Sequence, residues 1–111
     1  MKKVNKVWGK EEWIVNNKHY CFKKLYLKKG FRCSLHSHKK KDETFVIHEG
    51  SVQMEHEGNI YNMSEGELIR IRPEEEHRFT GITDAIIHEI STQHIESDSY
   101  RKTKSGKVDN V

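Results

Sequence analysis

Polar and apolar residues alternate along most of the chain from Tyr20 to about residue 92. In the first stretch, Tyr20–Lys28, one set of alternate positions carries Cys21, Leu25 and Leu27. A period of two residues is typical of a β-strand, and no part of this region shows a convincing helical period. Turn-forming residues divide the region into eight predicted strands: Tyr20–Lys28, Phe31–His38, Glu43–Glu49, Ser51–Glu57, Asn59–Met63, Glu67–Arg72, Glu76–Thr80 and Ala85–Ser91.

Closely spaced short strands predict an all-β fold. Gly50, Gly58 and Gly66 recur at intervals of eight residues, and we interpret each as part of a hairpin turn. Pro73 cannot donate a hydrogen bond to a neighbouring strand, so it marks a loop or a sheet edge. We therefore expect residues 20–92 to form an antiparallel sandwich or barrel.

The two ends of the chain have a weaker pattern. Residues 1–19 are mostly polar but contain Trp8 and Trp13, and we expect an N-terminal arm or edge strand that packs on the barrel or on a dimer partner. Residues 93–111 lose the apolar pattern, so we expect a C-terminal tail that is partly disordered, with fraying over Ser105–Val111.

Length and composition restrict the function. A chain of 111 residues with 33% hydrophobic and 33% charged residues suits one domain with a small core. The net charge of +3 arises mainly from basic residues near the ends, which does not favour nucleic-acid binding. No apolar run is long enough for a membrane span or a signal peptide. Cys21 and Cys33 fit reduced thiols, so we expect a cytoplasmic protein.

His36 and His38 are the strongest chemical signal. Residues two apart on a strand point to the same face, so both imidazoles can reach one point. A turn at residues 39–42 can bring Glu43 back to that point, and His77 lies beyond a later turn. Imidazole and carboxylate groups are ligands for divalent metals. The alternative is a chance pair on a solvated strand face, since the chain has eight histidines.

The spacing of these residues resembles the first motif of the cupin superfamily: Gly30, five residues, His36, one residue, His38, four residues, Glu43, six residues and Gly50. The second cupin motif is similar to the stretch from Gly66 through Ile71-Arg72-Pro73 to His77. The resemblance covers about residues 20–92. It implies a double-stranded β-helix, or jelly-roll, barrel in which His36, His38, Glu43 and His77 hold one divalent metal ion.

Within the cupins, the chain most resembles the small cupin domain of type II mannose-6-phosphate isomerases. Six short matches carry the likeness: Trp8-Gly9, Lys23-Lys24-Leu25, Ser34-Leu35, His77-Arg78, a closing Glu89 and the tail from Asp98 to Arg101, which resembles a closing Asp-x-x-Arg. This resemblance implies a metal-dependent sugar or sugar-phosphate isomerase or epimerase that forms a homodimer. Zinc is the expected ion, with manganese, iron, nickel or cobalt also compatible. One departure is His36, where that family commonly has glutamine.

Three further residues are candidates for catalysis. Lys23 faces inward if Leu25 does, although a reversed register or a place at the barrel mouth is the alternative. Either His88 or Glu89 must face the interior, and a buried Glu89 could serve as a base. Arg78 follows His77 and so points to the opposite face, unless the strand end lets it reach the mouth and bind an anion. Two other functions remain open: an Fe(II) cupin dioxygenase and a non-catalytic module that binds a sugar or a metal.

Overall fold

The computed structural model describes residues 1–109, which fold almost entirely into antiparallel β-strands. The strands are β1 (Lys2–Lys6), β2 (Gly9–Asn16), β3 (Cys21–Leu27), β4 (Phe31–Arg32), β5 (His36–His38), β6 (Glu43–Glu49), β7 (Val52–His56), β8 (Asn59–Met63), β9 (Leu68–Ile71), β10 (His77–Gly81), β11 (Ala85–Ser91), β12 (Ser99–Arg101) and β13 (Gly106–Lys107). A 3₁₀ turn, Glu96–Asp98, precedes β12. The all-β prediction is confirmed.

Two sheets face each other across the core. One has six strands in the order β1-β2-β3-β11-β6-β9. In the other, the order is β12-β5-β10-β4-β13, and β7 extends it by pairing with β10 and β8. In β3, β6 and β11, alternate residues are buried, as the period of two predicts.

The core occupies one end of the space between the sheets, and charged residues occupy the other. Along β3, Leu25 and Leu27 are buried towards the apolar end, while Lys23 is buried towards the polar end. Trp8 packs edge-on against Phe79, with ring centroids 5.3 Å apart. The N-terminal segment therefore supplies part of this protein's own core.

The N-terminal arm forms a hairpin. Strands β1 and β2 pair with each other, and β2 pairs along β3 with Trp13 opposite Lys23. Both strands therefore belong to the six-stranded sheet. Whether a second copy of the chain also packs here stays a prediction.

Two details differ from the sequence interpretation. The predicted strand Phe31–His38 is interrupted, because β4 and β5 are separate short strands and Ser34 bends back to accept a hydrogen bond from the His36 ring. We expected fraying over residues 105–111, yet β13 pairs with β4 through Gly106 opposite Arg32. The last two residues lie outside the described part of the chain.

Candidate metal centre

The four residues of the predicted metal site come from three strands. His36 and His38 lie at the ends of β5, Glu43 begins β6 and His77 begins β10. Strands β5 and β10 are paired, with His36 directly opposite His77. One ring nitrogen from each of the three histidines lies within 4.8 Å of the other two. The three histidines could therefore hold one metal ion.

Hydrogen bonds orient the three imidazole rings. The Nδ1 atom of His36 lies 2.7 Å from the backbone oxygen of Ser34, that of His38 lies 3.1 Å from the backbone oxygen of Asp98, and that of His77 lies 3.4 Å from the backbone oxygen of Glu75. A carbonyl oxygen can only accept, so each Nδ1 must carry the proton. Each Nε2 therefore keeps a lone pair, as a metal ligand requires.

Glu43 completes the set from the opposite sheet. Its Oε2 atom lies 3.3 Å from His77 Nε2 and 3.5 Å from His38 Nε2. Two ligand atoms bound tetrahedrally to one ion at about 2.0–2.1 Å are about 3.3 Å apart. Glu43 Oε2 and His77 Nε2 are also buried without a hydrogen-bond partner within residues 1–109. Buried polar atoms are seldom left unpaired, so the residues present fit a divalent ion.

Burial sets the protonation of the site. It lowers the pKa of His36, His38 and His77 to about 3 each, so all three rings are neutral at neutral pH. Burial raises the pKa of the Glu43 carboxyl, and the nearby Glu89 raises it further. A divalent cation beside Glu43 would favour its ionised form.

Comparisons with known proteins identify the fold. A family profile described as "Cupin domain" matches residues 24–91. The chain belongs to the cupin family. No curated protein sequence matches significantly.

Three solved structures with the same fold illustrate the likeness. They are oxalate decarboxylase from Bacillus subtilis (TM-score 0.79, 16% identity, 91% of this chain and 30% of that chain), ectoine synthase from P. lautus (0.77, 14%, 92% and 81%) and KdgF from Halomonas sp. (0.75, 13%, 79% and 81%). The sequence identities are too low to assign a function to this chain. The structural similarity supports the predicted cupin jelly-roll fold. None of the three is named as a mannose-6-phosphate isomerase, so that closer resemblance stays a prediction.

Beside the metal ligands, this cupin buries a pair of opposite charges that sequence reasoning missed. Lys41 Nζ lies 2.9 Å from Glu89 Oε2 and 3.6 Å from Glu43 Oε1, and its side chain is 3% exposed. It also lies 3.0 Å from Nδ1 of His94. A run of three lysines within the predicted turn at residues 39–42 is usually solvated. Lys41 belongs instead to the interior, in the same alternating set as Glu43.

The two carboxylates beside Lys41 respond differently to their surroundings. Burial alone would raise the pKa of Glu89, but Lys41 and then Lys23 outweigh that effect and hold the pKa below its usual range. Burial alone would likewise lower the pKa of Lys41, yet Glu89 and Glu43 raise it. Glu89 and Lys41 are therefore both charged at neutral pH.

Asp98 ties the C-terminal segment of the cupin to the metal site. Its carboxylate accepts backbone hydrogen bonds from Lys39, Lys40 and Lys41, the loop between His38 and Glu43. Its backbone oxygen accepts the hydrogen bond from His38. A residue beyond the predicted barrel thus fixes the loop that connects two of the candidate ligands, His38 and Glu43.

The three predicted catalytic residues are not all brought together. Lys23 and Glu89 lie opposite each other on β3 and β11, and both face the interior. Arg78 instead makes a bidentate ion pair with Glu55 on β7, at 2.6 and 3.0 Å, on the other face of the sheet from His77. The structure does not bring Arg78 to the cavity.

Three of the four candidate metal ligands and the buried charges line a cavity of about 80 Å³, while His77 is not part of its lining. Its lining includes His36, His38, Glu43, Lys41, Glu89, Lys23, Glu11 and His94, while Lys6, Glu96 and Arg101 stand at the surface. A larger open groove of about 680 Å³ lies along β2 and β3 and contains none of the metal ligands. Within residues 1–109 no helix is long and apolar enough to cross a membrane.

Proposed function

We propose that this cupin is a metal-dependent isomerase or epimerase of a sugar or sugar phosphate. Such a reaction moves a proton between neighbouring carbons of a hydroxy-carbonyl compound. The proposal depends mainly on one observation: three of the four candidate metal ligands (His36, His38 and Glu43) and a separate buried carboxylate, Glu89, line the same cavity. A site of this kind offers both a place for the carbonyl and a base.

The expected metal is a divalent transition ion. Three neutral imidazoles and the Glu43 carboxylate suit zinc, and they also accept manganese, iron, nickel or cobalt. When bound, the ion would act as a Lewis acid on the substrate oxygens and make the adjacent carbon more acidic.

Glu89 is the residue we assign as the base. Its Oε2 atom accepts hydrogen bonds from Lys41 Nζ at 2.9 Å and from Ser91 Oγ at 3.2 Å. These two donors fix the carboxylate and leave Oε1 to take a proton from the substrate carbon. Lys41 and then Lys23 hold the pKa of Glu89 below its usual range, so the carboxylate is in the ionised form that a base needs at neutral pH.

The charge of the cavity favours a transition state that gains negative charge. In the inner part of the lining, Lys23 and Lys41 contribute two positive charges and Glu11 and Glu89 contribute two negative charges, while burial raises the pKa of Glu43 to about 8, so that carboxyl is mainly neutral at neutral pH. A divalent ion would favour ionised Glu43, so the sum would change from 0 to +1. Fixed positive charge near a developing enediolate is a strong source of catalysis.

Cavity size limits how the substrate is held. A volume of about 80 Å³ is far below the roughly 300–1,000 Å³ typical of sites that enclose a whole drug-sized ligand. Only the reacting end of a sugar would enter. The remainder, including any phosphate, would lie at the mouth near Lys6 and Arg101.

Proton NMR in D₂O tests this function. We would incubate the metal-loaded protein with a panel of aldoses, ketoses and their phosphates, and measure deuterium incorporation and isomer formation. We expect Glu89→Gln to slow both by about 100-fold or more while the bound metal is retained. Glu65→Gln makes the same change on an exposed turn and should behave as wild type.

Two results would contradict the proposal. One is turnover that persists in a His38→Ala/His77→Ala variant lacking metal. The other is no exchange with any compound on the panel. Fe(II)-dependent oxygen uptake without deuterium exchange would favour the dioxygenase alternative, and binding without any product would favour a non-catalytic module.

A further inference from the structure

Lys23 carries a buried ammonium group whose N–H donors have no hydrogen-bond acceptor among the described residues. Its side chain is 2% exposed, and it lines the same cavity as three of the candidate metal ligands. Its nearest partners within the described residues are Glu11 Oε1, 3.7 Å away, and the Trp13 ring, whose centroid is 4.0 Å from Nζ. The first distance is too long for a hydrogen bond, and the face of an indole ring offers no lone pair.

The two partners hold Lys23 in place without using its donors. Trp13 donates its Nε1–H to Glu11 Oε1 at 2.8 Å, so that oxygen is already engaged. Register places Trp13 directly beside Lys23 on the neighbouring strand, and Glu89 beside it on the other side. The ammonium is therefore positioned by the N-terminal hairpin on one side and the barrel on the other.

An ammonium group has three hydrogens to donate, and burying it without acceptors is costly. In Lys41, by contrast, the donors meet Glu89 and His94 at 2.9 and 3.0 Å. The two lysines thus differ. The ammonium group of Lys41 donates to residues of the protein itself, whereas the ammonium group of Lys23 keeps N–H donors that can bind a ligand in the cavity.

We infer that Lys23 binds a carboxylate carried by the reacting end of the substrate, so that the substrate is a sugar acid with a hydroxyl or carbonyl group beside its carboxylate, and not a neutral sugar. This inference deepens the proposed function by naming the substrate class, and it rests on that function. Carboxylate oxygens match an ammonium donor, and the two- or three-carbon end of such an acid fits a cavity of about 80 Å³. The +1 charge of the metal-loaded lining also favours an anion over a neutral ligand.

Calorimetry with the Zn²⁺-loaded protein tests the inference through binding alone. Glycolate is the probe, and ethylene glycol is its neutral analogue with an alcohol in place of the carboxylate. We expect glycolate to bind, and Lys23→Met to weaken its binding about 10- to 100-fold without changing the zinc content. Lys24→Met alters the next residue, which points to the other face of β3, and should leave glycolate binding unchanged.

A second measurement does not depend on a variant that folds. In wild-type protein labelled at the lysine ε-carbons, one buried lysine signal, assigned to Lys23, should shift with glycolate and not with ethylene glycol. Equal binding of the two probes, or unchanged glycolate binding in Lys23→Met, would overturn the inference. Deuterium exchange in neutral sugars that is unaffected by Lys23→Met would overturn it while leaving the proposed function intact. Glycolate binding that depends on Lys23, without deuterium exchange in any compound of the panel, would support the carboxylate site and contradict the proposed function.

Discussion

Replacing Lys41 by methionine should destabilise the metal-free protein more than any surface change. The ammonium lies between Glu89 and Glu43, at 2.9 and 3.6 Å, and its side chain is 3% exposed. Methionine has a similar length but no charge. The variant therefore leaves two buried carboxylates beside each other without the cation that balances them, while the backbone hydrogen bond from residue 41 to Asp98 is kept.

The size of the effect follows from the burial of the pair. Removing one partner of a buried ion pair costs about 3–5 kcal/mol. In a domain of about 100 residues each kcal/mol lowers Tm by roughly 4–8 °C, so Tm should fall by at least about 12 °C. Adding Glu89→Gln should recover part of the loss, because the second change removes one of the uncompensated charges.

Thermal unfolding followed by circular dichroism in the presence of EDTA measures this prediction. The matched control is Lys40→Met, an exposed neighbour whose loss should change the free energy of unfolding by less than about 0.5 kcal/mol. If Lys41→Met costs no more than Lys40→Met, or if Glu89→Gln makes it worse, the buried ion pair does not stabilise the fold as we describe.

Two further predictions concern the fold. The metal-free protein should lose stability as pH falls below about 6.5 and continue to lose it towards pH 3. In that range the unfolded chain binds protons on His36, His38 and His77, but the folded protein does not, because their folded pKa is about 3. The raised pKa of Glu43 has the opposite effect on stability, but the three histidines outweigh it. A Tm that stays constant between pH 7 and 4.5 would contradict this prediction. Gly50→Ala should be more destabilising than Gly58→Ala in chemical denaturation, although both have positive φ (81° and 79°). A Cβ at Gly50 would clash with the Asp84 carbonyl oxygen, whereas one at Gly58 meets nothing within 4 Å. Gly58→Ala should therefore cost only about 1–2 kcal/mol, and equal costs for the two variants would count against the turn geometry.

Sequence patterns predicted the strands because each depends on nearby residues. Alternation over β3, β6 and β11 separated two faces, and it made Lys23 and Glu89 candidates for the interior while leaving the opposite register open; the structure buries both. The pairing of His36 with His38 is equally local, since residues two apart share a face. His77 is distant in sequence: it was a candidate as a histidine beyond a later turn, and the motif spacing of a known family supported it.

Residues that depend on long-range register were missed. Glu11 and Trp13 reach Lys23 through the pairing of β2 with β3, and no local pattern shows that pairing. His94 lies in a segment without periodicity, and Asp98 in the same segment was noted only through the family resemblance. Lys41 had a signal that could have found it: it lies two residues before Glu43, so the alternation of β6 extended backwards places it inside. Its place in a run of three lysines favoured the solvated interpretation.

Metal content is the measurement that tests the central claim most directly. Purified protein should contain about one divalent transition-metal ion per chain by elemental analysis, and His38→Ala/His77→Ala should contain almost none. His19→Ala removes an exposed histidine away from the cavity and should keep the ion. Equal metal content in the double variant and in wild type would contradict the account, because any bound metal would then not depend on His38 and His77.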